Sequence, residues 1–93
     1  MTTADPYELI LTPPAQRAIM AKLPEAVATA VIEFATTALI ASPQRVGKPL
    51  CDDLAGIWSA RRGTYRVLYR INEPAREVVV LHIEQRRDVY RPL

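Results

Sequence analysis

Arginine is the residue type in this sequence that is best suited to chemistry. Ten of the twelve basic residues are arginines, and each guanidinium carries five N–H donors in a planar fork that binds phosphate at two points. Positions 45–93 hold ten basic against six acidic residues, hence +4, whereas positions 1–44 hold two against four, hence −2. The second half therefore indicates a surface for a polyanion such as nucleic acid. A solvated arginine-rich surface is the alternative that composition leaves open.

Several other chemistries lack the residues they need. One histidine and one cysteine do not make a zinc site, and Asp52-Asp53 is an isolated acidic pair. Gly47, Gly56 and Gly63 do not form a phosphate-binding loop. A nucleophile–base triad cannot be drawn around a single histidine in a predicted strand interior. The sequence therefore predicts neither a metal nor a cofactor.

Cleavage of RNA is one reaction that an arginine-rich surface could support. It needs deprotonation of a 2′-hydroxyl, stabilisation of charge on the pentavalent phosphorus, and a proton for the leaving 5′-oxygen. Arginines meet the second need well and the other two poorly, because a guanidinium stays protonated. A tyrosine with a depressed pKa could act as the base. Such a site is expected to be slow on free RNA and to depend on a partner that aligns the attacking hydroxyl.

The elements that position the arginines follow from apolar patterning and from the prolines and glycines that interrupt it. A chain of 93 residues predicts one small domain, positions 1–93. The predicted strands are 7–11, 54–61, 65–71 and 77–83, the predicted helices are 15–22 and 24–40, and 44–53 is a predicted loop. This order predicts an α+β domain, β-α-α-β-β-β, in which two helices cover one face of a mostly antiparallel four-stranded sheet.

The register of the first predicted hairpin sorts side chains onto two faces. A two-residue loop of Arg62 and Gly63 pairs Arg61 with Thr64, and it places Arg61 and Arg66 on one face. Arg70 shares that face, while aromatic and aliphatic residues collect on the other, where the helices would pack. A positive φ at Arg62 is the weakness of this register.

The second predicted hairpin, with its loop at 72–75, pairs Arg70 with Glu77 as a cross-strand ion pair. It also places His82 opposite Tyr65 on the core-facing side, which favours a structural role for this histidine. If His82 lay beside Arg66 instead, its titration near neutral pH would matter.

The sequence also predicts where the protein resides. It is 49% hydrophobic and 24% charged, which is typical of a globular domain. The longest apolar run, Val78 to Leu81, is too short to cross a bilayer, and positions 1–6 lack a basic signal-peptide start. Cys51 has no partner for an intramolecular disulfide. We therefore expect a cytoplasmic protein with no membrane partner.

Two segments resemble a known family. RVGKPLCDDLAGIWSARRGTYRVLYRI, which begins at Arg45, and VVVLHIEQRRDVY, which follows it, are similar to the RelE branch of the RelE/ParE toxin superfamily. The resemblance runs from about Tyr7 to Arg91. It implies the toxin half of a type II toxin–antitoxin system, with a RelE-like fold and a metal-independent, ribosome-dependent endoribonuclease activity. Such mRNA interferases cut mRNA in the ribosomal decoding site by 2′-hydroxyl attack and so inhibit translation and growth.

The resemblance also implies partners. These are the ribosome, its mRNA, and a cognate acidic RelB-like antitoxin that neutralises the toxin. Together the two would form a hetero-oligomer that represses its own operon.

The family's functional residues fall on named positions of this sequence. The transition-state arginine falls on Arg66, and the late arginine assigned to phosphate stabilisation or leaving-group protonation falls on Arg86. The C-terminal tyrosine, a proposed base or base-stacking group, falls on Tyr90. The remaining candidates for contact with RNA phosphates are basic residues of the loop, turn and tail: Arg45, Lys48, Arg62 and Arg87.

This sequence departs from the family pattern at three positions. Two lysines of the family prototype are replaced by Ile57 and Ser59, and Arg61 on the same predicted face is the expected substitute. A histidine that some relatives carry before the late arginine is replaced by Gln85. The missing lysines favour an alternative, a non-cleaving ParE-like toxin that poisons DNA gyrase. A plain interaction module for an acidic segment is the third interpretation.

Overall fold

A five-stranded mixed sheet is the centre of the computed structural model, which describes residues 6–50 and 56–85. The strands have the spatial order β1-β5-β4-β3-β2; β1 runs parallel to β5, and the other neighbours are antiparallel. Their bounds are β1 Glu8–Leu11, β2 Lys48–Pro49, β3 Trp58–Arg62, β4 Tyr65–Asn72 and β5 Glu77–Gln85.

Helical segments connect β1 to β2. They are α1 Pro13–Arg17 with a π-helical continuation Ala18–Lys22, α2 Glu25–Phe34 with a π-helical continuation Ala35–Leu39, and α3 Pro43–Val46. Proline at the start of α1 and of α3 costs no hydrogen bond, because the first N–H groups of a helix have no intrahelical acceptor. Pro24 precedes α2 in extended backbone and separates it from the first segment. None of the helices within 6–50 and 56–85 is long and apolar enough to cross a membrane.

The core lies between these helices and the sheet face that they cover. Tyr65, Val67 and Tyr69 alternate along β4 and are buried, as expected for a strand with one covered face. Val31 and Phe34 of α2 belong to the same buried cluster. The intervening residues of β4 lie on the opposite side of the sheet, which we call the outer face.

The predicted α+β class and the order of the main elements are confirmed, with one strand more than expected. Lys48 and Pro49 pair with Ser59 and Trp58 and form an edge strand inside the segment that was predicted as a loop. A proline is tolerated there because an edge strand needs ladder hydrogen bonds on one side only.

The predicted register between β3 and β4 is wrong by two residues. Arg61 lies opposite Arg66 rather than Thr64. Gly63 has φ +55°, a conformation that is cheap only for glycine, so the turn begins at Gly63 and leaves Arg62 within the strand. A shift of two residues keeps every side chain on its face, so Arg61 and Arg66 share the outer face as predicted.

The prediction that His82 faces the core opposite Tyr65 is also wrong. The pairing of β4 with β5 is regular up to Val80, then shifts by one residue and continues with His82 opposite Leu68. Since side chains alternate along a strand, this β-bulge transfers His82 to the outer face, where it is exposed.

The expected pairing of Arg70 with Glu77 is wrong for a related reason. Arg70 lies opposite Val79, because the turn that joins β4 to β5 comprises residues 73–76 instead of 72–75. Arg76 in that turn has φ +57°.

Candidate functional site

Two neighbouring cross-strand rows concentrate polar chemistry on the outer face. The first row contains Arg61 of β3, Arg66 of β4 and Glu84 of β5, which lie directly opposite one another. Adjacent strands are about 4.8 Å apart, so the row spans about 10 Å. The guanidinium-bearing residues therefore lie side by side, with a carboxylate-bearing residue at one end.

The second row is displaced by two residues along the strands. It contains Lys48 of β2, Ser59 of β3, Leu68 of β4 and His82 of β5. Directly opposed residues of neighbouring strands have Cβ atoms about 5 Å apart, and diagonal neighbours are about 7–8 Å apart. Lys48 and His82 thus flank a short half-buried stretch at the two ends of this row.

A cavity of about 460 Å³ opens at the β2 side of both rows, and we call it the cation pocket. Its lining comprises four basic residues and four small or apolar ones: Arg45, Val46, Gly47, Lys48, Leu50, Ser59, Arg61 and Arg66. Within 6–50 and 56–85, no cluster of three or more His, Cys, Asp or Glu residues is placed to hold a metal ion.

The two arginines in this pocket are arranged to hold an anion. Arg61 is exposed and Arg66 half-buried, and like charges directly opposite each other on a sheet repel. In the described part of the chain, no carboxylate lies within 4.0 Å of either guanidinium, and Glu84 lies near His82 instead. A phosphate between the two guanidiniums would relieve the repulsion and accept two-point hydrogen bonds.

The edge strand that carries Lys48 is fixed from below by a buried tyrosine. The Tyr69 hydroxyl donates a 2.6 Å hydrogen bond to the carbonyl oxygen of Pro43, at the start of α3. Burial raises the pKa of Tyr69 to about 12, so the hydroxyl keeps the proton that it donates. The backbone N–H of Leu50 donates to Ile57 O at 2.8 Å and extends the pairing of β2 with β3. Lys48 is thereby held directly opposite Ser59.

Comparison with known protein families identifies the family to which this chain belongs. The family model described as ParE toxin of type II toxin–antitoxin system, parDE, matches residues 9–90. The chain belongs to this toxin family. The predicted resemblance to the RelE/ParE superfamily is confirmed, and the relatives described next place the protein on its RelE branch.

Two curated relatives come from Mycobacterium tuberculosis. Toxin RelG is 50% identical over 86 residues, which cover 92% of this chain and 98% of that protein. Toxin RelE is 43% identical over 91 residues, which cover 98% of this chain and 93% of that protein. A solved structure of the toxin–antitoxin complex RelBE2 from the same organism contains a chain with 49% identity and a TM-score of 0.85; the match covers 88% of this chain and 100% of that one.

The RelE-type toxin brings together only part of the predicted site. Arg45, Lys48, Arg61 and Arg66 line the cation pocket together. Arg62 is not among them: it lies on the helix side of the sheet, and its guanidinium carbon is 4.7 Å from the centre of the Phe34 ring. The predicted roles of Arg86, Arg87 and Tyr90 concern positions outside the described residues.

Gly47→Ala is expected to disturb the toxin's edge strand. A Cβ atom at this position would overlap the Tyr69 hydroxyl oxygen and lie 2.9 Å from the Ser59 carbonyl oxygen. Since the hydroxyl is held by its hydrogen bond to Pro43 and the carbonyl by the sheet, we expect the free energy of unfolding to fall by about 1–3 kcal/mol, the usual cost of overpacking. Chemical denaturation with guanidinium chloride measures this change.

Gly63→Asn is the matched control for that substitution. Gly63 has no heavy atom within 4 Å of a Cβ position, and asparagine tolerates its φ of +55° better than other side chains do. The free energy of unfolding of Gly63→Asn should stay within about 1 kcal/mol of the wild-type value. Equal stabilities of Gly47→Ala and wild type would contradict the close packing of Gly47 against Tyr69.

Sequence reasoning favoured the wrong face for His82 and did not connect this histidine with Glu84. The run Val78 to Ile83 is apolar except for His82, so no alternation reveals which residues face the helices. The bulge after Val80 sets the phase. No residue in the run Val78 to Ile83 marks its position.

Proposed function

We propose that this toxin is an endoribonuclease that cuts mRNA in the ribosomal decoding site by attack of a 2′-hydroxyl on the adjacent phosphate. Cleavage there stops translation and growth. The observation that carries the proposal is the direct opposition of Arg61 and Arg66 in a pocket shared with Lys48 and Arg45.

Guanidinium groups supply the charge stabilisation in this reaction, and no metal ion takes part in it. In the transition state, negative charge accumulates on the non-bridging phosphate oxygens, and donors already oriented toward them stabilise it without reorganisation. Arg66 is half-buried whereas Arg61 is exposed, so less side-chain entropy remains to be lost when Arg66 binds the phosphate. We assign it the principal contact to the reacting phosphate and Arg61 a supporting one.

Lys48 restores a cation that the family pattern places on β3. Ile57 and Ser59 occupy the two positions that are lysines in the family prototype. Lys48 lies directly opposite Ser59, so its ammonium is presented to the same part of the outer face from the neighbouring strand. The loss of lysine from β3 is therefore compatible with a cleaving toxin.

The remaining predicted residues complete the proposed site. Arg86 adds a phosphate contact, and Tyr90 accepts the proton of the 2′-hydroxyl or stacks on a base. Arg45 and Arg87 contact RNA phosphates of the message or the ribosome, and Arg62, on the helix side of the sheet, contacts RNA phosphates of the ribosome away from the cleavage site. The ribosome holds the attacking hydroxyl in line with the scissile bond, which a shallow, arginine-based site cannot do alone. The toxin domain in this proposal comprises the whole chain, 1–93.

The proposed partner that controls the toxin is a cognate acidic antitoxin. The solved relative from Mycobacterium tuberculosis is a toxin–antitoxin complex. An acidic segment that orders on docking would cover the guanidiniums of the outer face and neutralise their charge. The hetero-oligomer so formed represses its own operon.

Purified toxin added to programmed ribosomes, followed by mapping of mRNA ends by primer extension, tests the proposal. We expect cuts at the decoding position and none in the same mRNA without ribosomes. Intact mRNA together with gyrase-linked DNA breaks would overturn the ribonuclease proposal and indicate a gyrase poison.

A further inference from the structure

His82 lies on the outer face near the cation pocket, and the proposed cleavage site gives it no function. Its side chain is 51% exposed, and it lies opposite Leu68, the residue next to Arg66 on the same face of β4. His82 and Arg66 are therefore diagonal neighbours, about 7–8 Å apart at the backbone and within mutual reach of a phosphodiester lying over Leu68. This is the only histidine in the sequence.

The carboxylate of Glu84 lies beside the imidazole of His82 on the same strand. The distance from His82 Nε2 to Glu84 Oε2 is 3.7 Å, and the Glu84 side chain is 41% exposed. Glu84 also lies directly opposite Arg66. The carboxylate is thus placed between the imidazole and Arg66, where it can orient the ring.

The chemistry of the cation pocket leaves one need unmet. A leaving 5′-alkoxide requires a proton, and a guanidinium gives up its proton reluctantly. An imidazolium is an effective acid near neutral pH, which makes histidine the commonest proton-transfer residue in enzymes.

We propose that His82 is the general acid that protonates the leaving 5′-oxygen during mRNA cleavage, and that Glu84 positions its imidazole. This inference rests on the proposed ribonuclease function and adds a residue pair to that site.

The step balances as follows. The 2′-oxygen forms a bond to phosphorus while its proton passes to a base, and the bond from phosphorus to the 5′-oxygen breaks. The imidazolium of His82 gives its proton to that oxygen, and the products are a 2′,3′-cyclic phosphate and a 5′-hydroxyl. Neutral His82 regains a proton from solvent before the next turnover. The late arginine, Arg86, is then needed only for phosphate stabilisation.

Among residues 6–50 and 56–85, the charged groups around His82 are few. On β4, Arg66 and Arg70 flank Leu68, the residue opposite His82. On β5 itself, Glu84 is the contacting group. β1 pairs with β5 only over Glu77 to Val80, and its one charged residue, Glu8, lies at the far end of that pairing.

The test compares His82→Asn with wild type on two ribosome-bound mRNAs that differ at the scissile bond. One carries the natural 5′-oxygen, and the other carries a bridging 5′-sulfur, whose thiolate leaves without a proton. His82→Asn should slow cleavage of the oxygen substrate by about 100-fold, the lower range for loss of a general acid. On the sulfur substrate the variant should approach the wild-type rate. Glu84→Gln should show a smaller loss, about tenfold, with the same rescue.

Glu77→Gln is the matched control, because Glu77 lies on the same face at the other end of β5, opposite Asn72. It should cleave both substrates at the wild-type rate. A wild-type rate of His82→Asn on the oxygen substrate, or an equal loss on both substrates, would overturn the assignment of His82 while the ribonuclease function stands. Failure of the wild-type toxin to cut either mRNA would overturn the function itself and this inference with it.

Discussion

Arg66→Ala is expected to lower the rate of ribosome-dependent mRNA cleavage by about 10³-fold. Removal of one preorganised donor to transition-state charge typically costs 10²–10³-fold, and in the proposed mechanism the guanidinium of Arg66 supplies two. Single-turnover cleavage of programmed ribosomes, with toxin in excess, measures this rate without the contribution of product release. Toxicity on induced expression should disappear in parallel. Arg66→Lys should recover only part of the rate, since an ammonium keeps the charge but lacks the planar fork.

Arg70→Ala is the control that separates position from charge. Arg70 has the same charge on the same strand and face, but it lies opposite Val79 and outside the lining of the cation pocket. We expect Arg70→Ala to cleave mRNA at a rate within about threefold of wild type, because Arg70 is an exposed residue without a catalytic contact. Equal losses for the two variants would mean that β4 contributes only general electrostatic attraction. Full toxicity of Arg66→Ala would refute the central residue of the site.

The parts of the fold that could be predicted are those that local chemistry determines. Prolines at positions 13, 14 and 24 mark the ends of the helices, and the buried alternation of Tyr65, Val67 and Tyr69 marks β4 and its covered face. The edge strand at Lys48–Pro49 could not be predicted, because two residues carry no periodicity. That strand exists through its pairing with β3 and through the hydrogen bond of Tyr69 beneath it, both of which are tertiary interactions.

The candidate site was predictable to the same degree. The faces of Arg61 and Arg66 were correct although the register was wrong, because an error of two residues preserves the face. An error of one residue does not, and this is why His82 was misplaced. The bulge after Val80 shifts the register of β5 against β4 by one residue, so the following side chains change faces. Only the pairing of the strands reveals this shift. The family pattern could not predict the position of Lys48 opposite Ser59 either, since it places lysine on β3.

Lys48→Met is expected to reduce the cleavage rate by about 10–100-fold, because it removes a cation from the pocket but leaves the two opposed arginines. Methionine keeps the length of the side chain and much of its apolar stem, so the pairing of β2 with β3 should persist. Rates on programmed ribosomes measure the effect, and thermal unfolding checks that the fold is retained.

A second substitution shows whether an ammonium on either strand suffices or whether it must lie on β2. Ser59 lies directly opposite Lys48, with Cβ atoms about 5 Å apart, so Ser59→Lys returns an ammonium to the same region from β3. The double variant Lys48→Met/Ser59→Lys should therefore cleave mRNA at least tenfold faster than Lys48→Met. Lys22→Met, at the only other lysine, in an exposed position of the first helical segment, should leave the rate unchanged. A double variant no faster than Lys48→Met would show that the charge is required on the edge strand itself, and that Lys48 does not replace a cation of β3.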